Sequence, residues 1–92
     1  MTKHVLKSWP DSFRDVSSGA KCFEWRKNDR QFQASDTLLL REWSPPINVY
    51  TGHVLEVRVT FIQKGGQFGI PEDYCILGIE RIEVRQVKGD EP

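Results

Sequence analysis

Lys21, Glu24 and Arg26 stand close together in the run Gly19-Ala-Lys-Cys-Phe-Glu-Trp-Arg-Lys-Asn-Asp-Arg30. They are the residue types that recognise phosphates and bases. Arginine offers a planar donor fork suited to a phosphate or a base edge, and a glutamate accepts from an exocyclic amine such as that of cytosine. Glu24 and Arg26 are two positions apart, so on a regular strand they share a face. Lys21 falls on the other face by the same parity, and a bend or bulge between residues 19 and 22 is needed to bring it to them. Lys21 is a candidate for phosphate contact or for a general base. A base must be neutral, whereas a neighbouring carboxylate favours the charged form, so ligand contact is the simpler role. Lys27 and Arg30 extend the cluster as a basic turn diluted by Asp29, and Lys7 is placed around the same site. Trp9 and Trp25 can stack on a base or fill a core; in a domain this small they are expected in the core.

The elements that must position these groups follow from periodicity. Residues 3–7 read as a short strand. Pro10 opens a helix, Asp11 suits its positive end, and Gly19 stops it. Trp9, Phe13 and Val16 fall on one helical face. Residues 21–27 and 37–43 read as strands, with a polar turn over 28–36. Residues 44–52 contain two prolines and a glycine and read as a loop. Residues 53–63 alternate as a strand, with Leu55, Val57, Val59 and Phe61 on one face. The Gly65-Gly66 segment reads as a mobile hairpin loop over the site. Two further strands are expected, over 74–79 and 80–87. One helix and five or six short strands bury their faces most simply in a small curved sheet closing into a barrel, with the helix at one opening.

The 92 residues make one domain the default, with 1–88 folded and 89–92 a frayed tail. Thirteen basic residues balance thirteen acidic ones, so any anion-binding surface must be local. No run approaches the about 18 apolar residues of a membrane span, and the first residues lack the apolar stretch of a signal peptide. A cytoplasmic protein without membrane partners is expected. Cys22 and Cys75 stand without a CxxC or a neighbouring His pair. They read as buried, reduced thiols; no metal and no cofactor is expected. His4 and His53 read as structural or surface residues.

A family pattern runs through His4, Leu6 and Lys7; Phe23 to Phe32; Asp36 to Glu42; Tyr50 to Gly52; Gly65 to Ile70; and Leu77 to Ile79. Together with Gly19, Lys21, Glu24 and Arg26 it resembles the ASCH domains, relatives of the PUA fold, and within them the DUF3850 group of small bacterial and phage proteins. The resemblance implies an α+β, mainly β, PUA-like barrel with a polar cleft between helix and barrel that binds RNA or a nucleotide. It also brings an alternative, an amidohydrolase acting on a modified nucleoside such as N4-acetylcytidine. There Lys21 matches the catalytic lysine, Glu24 stands where that group has a threonine, and Glu80 is the candidate for the downstream glutamate. A protein-binding adaptor is the second alternative. The site residues expected for the ligand are Lys21, Glu24, Arg26, Lys27, Arg30 and Lys7.

Overall fold

A computed structural model describes residues 1–86. The frayed tail and the end of the last expected strand fall outside the described residues. The elements are β1 (Lys3–Ser8), α1 (Pro10–Ser17), β2 (Phe23–Lys27), β3 (Thr37–Ser44), β4 (Val49–Lys64) and β5 (Tyr74–Gln86). They form a single five-stranded sheet in the order β1-β3-β4-β5-β2. Only β1 and β3 run parallel; every other neighbour is antiparallel. The sheet curls into a half-barrel. Its two edges, β1 and β2, share no backbone ladder.

Alternation explains the inner face. On β1, His4, Leu6 and Ser8 point inward and Lys3, Val5 and Lys7 outward. Leu38 and Leu40, Leu55, Val57 and Val59, and Cys75, Leu77 and Ile79 complete the core from β3, β4 and β5. The eight-residue helix is too short to stand alone in water and is held by what it buries. Phe13 and Val16 are its buried residues, and Arg81 donates to the Ser17 carbonyl at its C-terminal end, where a cation suits the helix dipole. No helix is long and apolar enough to cross a membrane.

Several expectations are corrected. The strands expected over 74–79 and 80–87 are one strand, because pairing with β4 continues past Ile79, with register shifts at Glu56/Val57 and Val59/Phe61. β4 starts at Val49, inside the expected loop: Asn48 takes a positive φ of 56° and its N–H bonds the Ser44 carbonyl at 2.7 Å, so the chain turns tightly and resumes pairing. Trp9 and Trp25 are exposed. Trp25 lies between Glu24 and Arg26, so turning that pair inward turns the indole out. Cys22 is exposed, since it precedes the strand, whereas Cys75 is buried and burial pushes its thiol up; neither is in a disulfide. The segment after β4 carries its own hydrogen bonds: Gly66 N–H bonds the Ile70 carbonyl at 2.8 Å, Tyr74 N–H bonds the Pro71 carbonyl at 3.0 Å, and Ile70 is buried while Phe68 is exposed.

Asp36 ties β1 to the segment entering β3. Its carboxylate accepts from Thr2 N–H at 3.0 Å, Gln33 N–H at 2.9 Å and His4 Nε2 at 2.9 Å. Burial pushes the Asp36 carboxyl up, but the His4 and backbone hydrogen bonds, with the charge attraction of His4, outweigh it and hold it below the ordinary carboxylate value. Phe32 packs edge-on against the His4 ring, with centroids 4.8 Å apart. Asn28 N–H bonds the Asp73 carbonyl and Ser35 N–H bonds the Val59 carbonyl. The polar segment between β2 and β3 is thus pinned at both ends and by Phe32 between them.

Candidate functional site

The pinned segment faces the seam between the two sheet edges. A cleft of about 200 Å³ opens there, lined by Leu6 and Lys7 of β1, Arg26 and Lys27 of β2, and Asp29, Arg30 and Phe32 of the connecting segment. Leu6 and Phe32 belong to the core and floor the cleft. Four of the six expected site residues, Lys7, Arg26, Lys27 and Arg30, therefore meet at one place.

Glu24 stands behind Arg26. Both lie on the inner face of β2, as their spacing requires. Arg26 Nε donates to Glu24 Oε1 at 2.9 Å, and its terminal nitrogen lies 2.9 Å from the same oxygen. The same guanidinium donates to the Lys7 carbonyl at 3.0 Å, across the seam. The Glu24 side chain is 4% exposed and that of Arg26 23%. The second Glu24 oxygen, Oε2, is buried and has no hydrogen-bond partner. Arg26 is thus oriented by a carboxylate from within while its edge reaches the cleft.

Lys21 goes elsewhere. The chain from Ser18 to Cys22 is not strand, and Lys21 N–H bonds the Asp15 carbonyl at 2.9 Å. Its ammonium donates to Ser12 Oγ at 2.8 Å on the helix and lies 5.3 Å from the Phe23 ring. No hydrogen bond or ion pair joins Lys21 to Glu24 or Glu80, and Glu80 pairs with Arg58, whose Nε donates to it at 2.7 Å. The cationic cleft is also not the one expected between helix and barrel, since no α1 residue lines it. Side chains on β2 and β1 converge at the seam because the sheet curls, which a strand-by-strand reading does not supply.

The electrostatics of the cleft contrast with those of the chain. The whole sequence is formally neutral. Four cations line the cleft against one lining acid, Asp29, with Glu24 behind them, leaving a formal excess of two positive charges. Among the described residues, Lys7, Lys27 and Arg30 have no carboxylate within 4.0 Å. Such a surface suits a multiply charged anion. No group of three His, Cys, Asp or Glu placed to hold a metal ion occurs among the described residues.

Sequence reasoning missed Leu6 and Phe32 as the cleft's apolar floor and Asp36 as its anchor. Phe32 carries a signal only in hindsight, as an isolated apolar residue in a polar stretch.

The chain is 36% identical over 74 residues to an uncharacterised 12.9 kDa protein of Escherichia phage P2, described by its position in the GpA 3′ region. The match covers 80% of this chain and 64% of the phage protein. The family model described as a domain of unknown function, DUF3850, matches residues 3–79. That span runs from β1 into β5 and takes in the whole cleft, so the chain belongs to the DUF3850 family.

Proposed function

We propose that this half-barrel is a PUA-like module of the ASCH kind that binds RNA or a nucleotide through the seam cleft. The observation that carries the reading is the convergence of Lys7, Lys27 and Arg30, free of carboxylate partners among the described residues, around an arginine already oriented by Glu24. Arg26 offers its remaining terminal nitrogen and its charge, since Nε and the other terminal nitrogen are held by Glu24 and the Lys7 carbonyl; Lys7, Lys27 and Arg30 add charge, and Leu6 and Phe32 give an apolar floor for the sugar or base.

Binding of a short single-stranded RNA tests this. Contact with about three phosphates gives a slope of log K against log[salt] of roughly −2. Arg30→Gln and Lys27→Gln should each weaken binding and flatten that slope by roughly 0.7. A flat salt dependence, or no binding at millimolar protein, rules out the phosphate role. The same protein should release no acetate from N4-acetylcytidine; release that Lys21→Ala abolishes in a folded protein would replace the binding reading with hydrolysis.

A further inference from the structure

The cleft ends at Lys7, but cationic and aromatic side chains continue beyond it. Lys7 and Arg41 are register partners on the parallel strands β1 and β3. Their neighbours Leu6 and Leu40 point into the core, so Lys7 and Arg41 belong to the outer face. Further along, Trp43 of β3 pairs with Tyr50 of β4.

These four side chains touch in sequence. The Lys7 ammonium lies 4.0 Å from the Trp43 ring centroid. Trp43 and Tyr50 meet edge to face, 4.9 Å apart at 71°. The Arg41 guanidinium lies 3.7 Å from the Tyr50 centroid. Neither Lys7 nor Arg41 has a carboxylate within 4.0 Å among the described residues. The adjacent acid, Glu42, is engaged elsewhere: it accepts from Thr51 Oγ1 at 2.6 Å and lies 3.3 Å from His53 Nδ1. Tyr50 remains 40% exposed.

Two cations held against aromatic rings without a counter-charge are what a single nucleic-acid strand takes. Its phosphates meet the cations, and its splayed bases stack on rings or on guanidinium planes. From β1 to β4 the track spans two strand spacings, roughly 10 Å, in addition to the cleft itself. A mononucleotide in the cleft does not also cover that distance.

Building on the nucleotide-binding reading, we infer that the ligand is a single-stranded oligonucleotide of at least two nucleotides. One phosphate lies in the Arg26–Arg30 cleft. A neighbouring base lies against Tyr50 and Arg41, and Lys7 spans the two parts.

The test compares uridine monophosphate with a tetrauridylate, each titrated into the protein and followed by NMR. Wild type, Arg30→Gln, Tyr50→Ala and Arg41→Gln are compared, with folding checked by circular dichroism. Wild type should bind the tetranucleotide more tightly than the mononucleotide. Arg30→Gln should weaken both. Tyr50→Ala should lower the ratio of tetranucleotide to mononucleotide affinity about tenfold, within the range for loss of one stacked base. Arg41→Gln should lower the same ratio, and serves if Tyr50→Ala does not fold. An unchanged ratio in the folded variants, while Arg30→Gln still weakens both ligands, overturns the extended track and leaves the cleft reading standing. Failure of wild type to bind either ligand overturns both.

Discussion

Replacing Arg26 by alanine should destabilise this protein more than neutralising Glu24, although the two side chains form one ion pair. The asymmetry follows from burial. Glu24 is 4% exposed, with Oε2 already lacking a partner, whereas Arg26 is 23% exposed and also donates to the Lys7 carbonyl. Arg26→Ala leaves a buried carboxylate with no cation. Stranding a buried charge costs about 3–5 kcal/mol. The arginine reaches the cleft, so water can follow into the space it leaves, and the lower end, about 3 kcal/mol, applies. Glu24→Gln removes the charge and keeps the shape. Arg26 then retains the Lys7 carbonyl and cleft water, and the expected loss is about 1 kcal/mol, the scale of one net hydrogen bond. The double variant Glu24→Gln/Arg26→Ala should be more stable than Arg26→Ala alone, because the stranded charge is gone. Urea melts read all three: with a slope near 1 kcal/mol per molar, the midpoint should fall by about 3 M for Arg26→Ala and about 1 M for Glu24→Gln. Equal losses in the two single variants, or a double variant no more stable than Arg26→Ala, would refute the buried-charge reasoning.

Two further outcomes are expected. Asp36 has a carboxyl held below its ordinary value in the fold, so its contribution to stability is present above about pH 4 and is lost as pH falls through the lowered folded value; the urea-midpoint difference between wild type and Asp36→Asn should shrink as pH falls below about 4, and a difference that widens over that acid range contradicts the clamp. A Cβ at Gly65 would collide with the backbone carbonyl oxygens of Pro71 and Tyr74, so Gly65→Ala should cost about 1–3 kcal/mol by forcing the connection between β4 and β5 apart, whereas a neutral melt would show that this turn yields freely.

The helix and most strands were legible because their patterns are local. Phe13 and Val16 fall on one face at helical spacing, Pro10 starts the helix, and the alternation in β1 and β3 fixes which leucines go inside. Parity placed Glu24 and Arg26 on one side of β2, but did not say whether that side faced the core or water. A tryptophan between two charged residues suggests the opposite choice from the one the fold makes. Here the pair satisfies itself and reaches the Lys7 carbonyl, which permits the charged face to be the inner one. Lys21 was grouped with Glu24 by nearness in sequence. Its side chain follows the helix instead, because the chain does not become strand until Phe23. The meeting of β1 with β2 depends on curl summed over five strands, a quantity that no short window contains.

That meeting has a mechanical consequence. A closed barrel resists separation of its strands through a continuous ladder; here, among the described residues, the Arg26 guanidinium reaches from one rim to the backbone of the other. An anion that draws Arg26 away from the Lys7 carbonyl loosens the joint between the rims, and an anion that gathers Arg26 and Lys7 together tightens it. Occupancy of the cleft and the gap between the rims are therefore linked variables. By thermodynamic reciprocity, if an anion in the cleft changes the affinity of a second ligand for the rims by some factor, that ligand changes the anion affinity of the cleft by the same factor.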